Sequence, residues 1–302
     1  MIFTVFRVYR KALVLRADIY HLHDPELLPI GLLLKLKGKS VVYDSHEDYP
    51  ADILSKYWIP APARKFVSYV FNLLEKNTIR FYDGVITVHE QIAPKFYPYQ
   101  KNTVVVHNFP VLNSSLPLSP ITKDNFVWLG ILSPIRGSKQ IEKALSMVND
   151  ASIDVLGPQF SGIMHDRVNY VGSFPQQEAL HLASTYLAGL VTYLPEPNHI
   201  DALPNKLFEY MSIGIPVIAS NFPKWKAIVD DAQCGLLVDP LSPKDLATAM
   251  KWMLDNREEA KRMGARGKQA VLDKYNWKSE ERILFSTYDR ISIKHVLKSK
   301  GK

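Results

Sequence analysis

Short β-branched runs alternate with helical periods twice along this chain, and that alternation leaves few folds open. In the first half the strand-like runs are Asp18–Leu22 ("DIYHL"), Ser40–Tyr43 ("SVVY"), Gly84–Val88 ("GVITV") and Thr103–Val106 ("TVVV"). Helical patterns lie between them, the longest from about Ala63 to Arg80. The second half carries "FVWLGIL", "SIDVLG", "VNYVG", "AGLVTYL", "PVIAS" and "GLLV", and then a long helical stretch from Pro243 to about Asp289. Strands separated by helices return in the same direction and pair in parallel. The expectation is an α/β chain with two Rossmann-like parallel sheets, joined by the Pro-, Ser- and Asn-rich segment Phe109–Asn125. The second half has enough runs for a full doubly wound sheet. The first opens on a helical segment with no preceding strand or glycine-rich turn, so its domain is expected to be incomplete. A sheet edge left open in that way calls for a partner chain or promotes self-association.

Composition removes several classes of function. With 302 residues, 47% of them hydrophobic, the chain can fill two cores. No apolar run approaches the ~18 residues of a membrane span. The opening "MIFTVFRVYRKALVLR" is broken by Arg7, Arg10, Lys11 and Arg16, which makes it a poor signal peptide. The single cysteine, Cys234, rules out an internal disulfide and fits a reducing, cytoplasmic compartment. The formal charge of +7 is concentrated at the ends: residues 1–16 and 290–302 hold nine of the 37 basic residues and no acid, leaving 28 against 30 in the body. A nucleic-acid reader would carry its basic face within the folded body, so nucleic acid is not expected as a partner. The basic ends suit either a solvated tail or contact with an anionic membrane surface.

In an open parallel sheet, ligands bind beyond the carboxyl ends of the strands. In the first half "HLHDPE" (His21–Glu26) and "YDSHEDYP" (Tyr43–Pro50) fall there, placing His23, Asp24, His46, Glu47 and Asp48 near one crevice. His21 and His23 share a strand face, as a two-histidine metal site would require, but no recognised spacing such as H-E-x-x-H follows them. Acid–base and substrate contacts suit the set better, and His46 leads because imidazole titrates near neutral pH. Turn formation and capping is the plain alternative for any single member.

In the second half, "ALPNKLFEYMSIGIPVIAS" (Ala202–Ser220) reads as a helix from Pro204 to Ser212, closed by Gly214 and followed by a buried strand. Lys206 is misplaced there, because a helix N-terminus already carries partial positive charge. "SPIRG" repeats the anomaly, setting Arg136 beside Gly137 where the chain turns into another helix. Two cations and two helix starts at strand ends of one sheet outline a diphosphate site that needs no metal. Glu209 can accept hydrogen bonds from ribose hydroxyls, or serve as a partner for Lys206.

These blocks, with "LVTYLPEPNHIDALPNKLFEYMSIGIPVIASNFPKWKAIV" and "CGLLVDP", resemble the family-4 retaining glycosyltransferases of GT-B fold, from about Ala17 to Asp289. The resemblance implies two Rossmann-like domains facing a cleft: an acceptor-side domain over residues 1–115 and a domain binding a nucleotide diphosphate-sugar over 116–276. A crossover helix and basic tail would occupy 277–302. It implies that Arg136 and Lys206 neutralise the donor diphosphate and that Glu209 holds the ribose. Asp201, Leu203 and Asn205 would meet the donor sugar and phosphates, Gly130 would lie by the phosphates, and Gly172 would lie by the base. His46 would face the donor sugar catalytically, His23, Asp24 and Glu47 would line the acceptor cleft, and Asn108 would be structural. Neither a metal nor a cofactor is implied beyond the donor substrate. The acceptor would be a saccharide or lipid-linked hydroxyl in surface polysaccharide or glycolipid assembly, at the inner face of the cell membrane. Two departures stand out. Ile131 occupies the place of an arginine in many members, and the family's opening strand and glycine-rich loop have no counterpart before Met1. The second leaves a rival reading open, a non-catalytic subunit acting through a partner chain, beside a more distant one, a sugar-nucleotide epimerase.

Overall fold

The computed structural model describes residues 2–56, 58–111, 120–162 and 165–300. It divides into two units, Met1–Asn108 with Lys278–Lys302, and Phe109–Trp277. The boundary expected at 115–116 lies outside the described residues. The division falls earlier because the Phe109 ring packs against Phe208 and Tyr275 of the second unit, at centroid distances of 4.8 and 5.6 Å. Residues from Lys278 onward, expected as a separate piece, belong to the first unit. Glu280 accepts a hydrogen bond from the His107 backbone N–H at 2.7 Å.

In the first unit, strands β1 (Ile19–Leu22), β2 (Ser40–Ser45), β3 (Gly84–Thr87) and β4 (Thr103–Val105) form a parallel sheet in the order of the chain. Its helices are α1 (Ile2–Leu15), α2 (Leu28–Leu36), α3 (Tyr49–Ser55), α4 (Ala61–Ile79) and α5 (Ala93–Phe96). The side-chain alternation of a strand sends Tyr20, Leu22, Val41, Tyr43 and Val85 into one core with Leu28, Leu34, Ile79 and Phe96. His21, Val42 and Asp44 fall on the opposite face.

The second unit holds β5 (Lys123–Leu129), β6 (Ile153–Leu156), β7 (Val168–Gly172), β8 (Tyr186–Val191), β9 (Val217–Ser220) and β10 (Gly235–Val238). Its helices are α6 (Ser138–Leu145), α7 (Gln176–Ala183), α8 (Pro197–Ile200), α9 (Asn205–Ile213), α10 (Pro223–Ala232), α11 (Pro243–Asp255) and α12 (Arg257–Asp273), and α13 (Trp277–Lys300) returns the chain to the first unit. Strand β5 begins inside the segment expected to be linker, where the Lys123 ammonium sits 4.1 Å from the centre of the Tyr186 ring. The strands are parallel in the order β10-β9-β8-β5-β6-β7. The chain starts in the middle, builds outward to β7, then crosses to β8 on the other side of β5. That reversal is the topological switch point at which doubly wound sheets bind ligands. Alternation along β5 supplies both faces: Val127 and Leu129 enter one core, Phe126 and Trp128 the other.

One side chain closes the switch point. Strand β5 pairs with β8 as far as Val127↔Gly189. Beyond it the hydroxyl of fully buried Tyr210, from α9, accepts from the Leu129 N–H at 2.9 Å and donates to the Val127 carbonyl at 3.1 Å. A Cβ on Gly189 would come within 2.4 Å of the Tyr210 ring, so only glycine lets the ring lie there. Tyr210→Phe removes both bonds and leaves a buried N–H without its acceptor. The expected outcome is a loss of about 1–3 kcal/mol from the unfolding transition of the second unit, read by urea titration.

Candidate functional site

Helix α9 begins at Asn205, one residue later than expected; Pro204 is its extended N-cap and offers no side-chain bond. The turn before it is tied down by the Trp225 indole, which donates to the Ala202 carbonyl at 2.6 Å. Tyr210 fixes the helix to the sheet, and Lys206, one turn earlier, therefore reaches the carboxyl end of β5. Its ammonium donates to the Tyr193 hydroxyl at 3.2 Å and lies over the Trp128 and Tyr193 rings at 5.7 and 5.8 Å. No carboxylate pairs with it among the described residues. Burial, and then the positive charge of Arg136, push its pKa down to about 8, with Glu209 opposing. A lysine depressed in this way costs stability: the cost is full below about pH 8 and is relieved as the pH rises toward the unfolded value of 10.5. An anion bound beside it removes the cost.

Lys206 and Glu209 line a cavity of about 320 Å³ at the carboxyl ends of β5, β6 and β7, with Gly130, Gly157, Phe174 and Gln176. Gly130 turns left-handed at φ 78°, and a Cβ there would stand 3.7 Å from the Lys206 ammonium. A Cβ on Gly157 would meet the Gly130 carbonyl oxygen at 2.4 Å, so the two strand ends approach as bare backbone. Glu209 is not the partner of Lys206; its carboxylate accepts from the Gln176 amide at 2.8 Å.

Arg136 ends a short 3-10 turn (Pro134–Arg136) held by the Leu194 N–H, which donates to the Ile135 carbonyl at 3.0 Å. Gly137 follows at φ 84°, where a Cβ would meet the Thr192 carbonyl at 2.2 Å. The guanidinium sits 5.8 Å from the Tyr193 ring that also receives Lys206, and it donates to the Ile131 carbonyl at 2.9 Å. The two cations thus gather on one tyrosine, although Arg136 does not itself line the cavity. Gly172, Asp201, Leu203 and Asn205 are also absent from the lining. Gly172 closes β7 at φ 128° and hands the wall to Ser173 and Phe174. Asp201 is exposed after α8, and Leu203 packs against the core. Tyr193, Gln176 and Gly157 escaped the sequence reading. The first two come from elements brought alongside α9 only by folding.

In the first unit, the carboxyl ends of β1 and β2 bring His23 and His46 together, with Nδ1 and Nε2 3.4 Å apart. Continuing the register Leu22↔Tyr43 by one residue sets His23 beside Asp44. Asp44 went unnoticed in the sequence, although a carboxylate buried within the apolar run "SVVYDS" was the available signal. Its Oδ2 lies 3.3 Å from His21 Nε2, 3.3 Å from His23 Nδ1 and 3.4 Å from His46 Nε2. Burial alone would raise the Asp44 pKa, but His21 and His46 bring it down to about 2. The carboxylate raises that of His46, while burial and the neighbouring His21 lower that of His23. Asp24 and Glu47 are exposed at the same edge. Asp48 is a cap: it accepts from the Ala51 N–H and pairs with Lys95 at 2.9 Å.

The second unit's strand order and its cavity at the switch point define a doubly wound, Rossmann-like α/β unit. The family model for glycosyl transferases group 1 matches residues 165–270, and that for glycosyltransferase family 4 matches residues 1–109. Each unit thus matches a glycosyltransferase family model, and the fold is that of the GT-B glycosyltransferases. It is 26% identical, over 91% of its length and 71% of the relative's, to the MMP alpha-(1->4)-mannosyltransferase of Mycolicibacterium hassiacum. A 108-residue stretch, 36% of the chain, is 30% identical to the D-inositol 3-phosphate glycosyltransferase of Corynebacterium kroppenstedtii and spans 23% of that enzyme. Among solved structures it resembles sucrose-phosphate synthase from Thermosynechococcus elongatus, with a TM-score of 0.72 at 18% identity over 96% of this chain and 78% of that one. It likewise resembles Anabaena HepE in complex with UDP, with a TM-score of 0.73 at 17% identity over 95% and 82%. At such identities the likeness is one of fold.

The Lys206 amine is expected to acylate with a pH midpoint near 8, well below that of surface lysines. Pulse labelling followed by peptide mass spectrometry checks this. Adding inorganic pyrophosphate should move the midpoint upward.

Proposed function

We propose that the protein transfers a sugar from a nucleotide diphosphate-sugar to a hydroxyl of a saccharide or lipid-linked acceptor, with retention at the anomeric carbon. The observation that carries this is Lys206: a half-buried ammonium with no ion-pair partner among the described residues, set at the mouth of a switch-point cavity. As the glycosidic bond to the diphosphate breaks, negative charge grows on the leaving group. Preorganised cations held there act without reorganising. Lys206 is assigned to that charge, with Arg136 beside it, and no metal is needed at the diphosphate. The bare backbone at Gly130 and Gly157 leaves room for phosphate oxygens, and Glu209, oriented by Gln176, is assigned to the ribose hydroxyls. Complexes of HepE with UDP and with UDP-glucose support the donor class. The edge carrying His23, Asp24 and Glu47 is assigned to the acceptor, and His46 to catalysis.

Among the described residues no helix is long and apolar enough to cross a membrane. Contact with the inner membrane face is supported instead by α1, which exposes Phe6, Val14 and Leu15 beside Arg7, Arg10, Lys11 and Arg16.

UDP is expected to bind in isothermal titration, and Lys206→Ala to weaken it. Turnover of the accepted UDP-sugar should fall about 10²–10³-fold in the same variant. Undiminished UDP affinity in Lys206→Ala would overturn the assignment. In the wild type kcat/KM should decline as the pH rises through about 8, because only the charged amine stabilises the leaving diphosphate. Gln176→Ala should weaken UDP binding but leave inorganic pyrophosphate binding unchanged, because the Glu209 carboxylate loses its orienting donor.

A further inference from the structure

We propose that His21, His23 and Asp44 form a zinc site in the first unit, distinct from the diphosphate cavity. Their candidate ligand atoms all lie within 4.8 Å of one another. Ligands about 2.0–2.1 Å from a tetrahedral zinc stand roughly 3.3 Å apart. Both histidine nitrogens, His21 Nε2 and His23 Nδ1, are 3.3 Å from Asp44 Oδ2.

Hydrogen bonding leaves part of this cluster unsatisfied. His21 Nε2 is buried and makes no hydrogen bond despite its closeness to the carboxylate, and Asp44 Oδ1 is likewise buried without a partner. Asp44 Oδ2, 3.3 Å from each of the two ring nitrogens, is the carboxylate oxygen that converges with them, and a buried ring nitrogen left unsatisfied costs stability that a bound cation returns.

The outer shell also fits. The other ring nitrogen of His21, Nδ1, lies 2.6 Å from the Tyr288 hydroxyl on α13. With Nδ1–H donating to Tyr288, the lone pair on Nε2 is free for a metal, as in ligating histidines generally. The rings of His21 and His23 stack at 4.4 Å, fixing their mutual orientation. Imidazole with one carboxylate is a donor set suited to zinc, and three protein ligands leave one position open. His23 is exposed, so the open position faces solvent. His46 lies beside it, with Nε2 3.4 Å from both His23 Nδ1 and Asp44 Oδ2.

The test uses the untagged full chain, stripped of metal with a chelator and titrated with Co²⁺, then with Zn²⁺. One equivalent of Co²⁺ should give the intense visible bands of four-coordinate cobalt, and Zn²⁺ should displace it. His21→Ala and His23→Gln should each weaken Zn²⁺ binding at least about tenfold, and Tyr288→Phe, which touches no metal, by ~10-fold through the outer shell. His23 is exposed, so His23→Gln should keep the fold, checked by circular dichroism. Failure of the wild type to bind one equivalent overturns the proposal. So does wild-type Zn²⁺ affinity in folded His23→Gln and His21→Ala. None of these readouts depends on sugar transfer or on UDP binding.

Discussion

The Tyr210 hydroxyl holds the second unit's site together. Where β5 and β8 part, the strand's N–H and carbonyl would face a buried gap, and an orphaned backbone group there is costly. The tyrosine meets both from a helix, and Gly189 leaves space for its ring. This couples α9 to the end of β5 through a short, stiff link. Lys206 is one turn up the same helix, so its ammonium is delivered to Gly130 within van der Waals range of a would-be side chain. Charge, bare backbone and cavity coincide because one phenol fixes the distance between helix and strand.

The two units solve opposite electrostatic problems. In the second, a cation is half-buried among aromatic rings with another cation close by, and desolvation is the larger reason that its pKa falls. Such a group is expensive without an anion, and the proposed diphosphate would supply one. In the first unit a carboxylate is buried beneath three imidazoles. It stays ionised because the histidines outweigh its desolvation. One site is short of negative charge, and the other gathers three imidazoles about one carboxylate.

Much of this was legible in the residues. The strand–helix alternation gave both parallel sheets, since side-chain period and apolar run length are local properties of the chain. Lys206 announced itself because a cation at a helix start contradicts the helix dipole, and such contradictions tend to mark function. Glu209 was readable as a polar group of the site, as a ribose acid or a partner of Lys206, but not that Gln176, from another helix, would hold it. His21 and His23 were visible as a pair. Their third partner was not, because Asp44 reaches them through the pairing of β1 with β2, and register across strands leaves no trace in sequence spacing.

The amino-acid order alone thus set the α/β class, the positions of the strands and the identity of the two anomalous cations, all consequences of short-range periodicity and local charge. Only folding decided which groups meet. Tyr193 collects Arg136 and Lys206, Tyr288 comes from the far end of the chain to His21, and Phe109 moves the unit boundary upstream. Those outcomes depend on strand order, register and the close approach permitted by a few glycines, and none of these is fixed by neighbours along the chain.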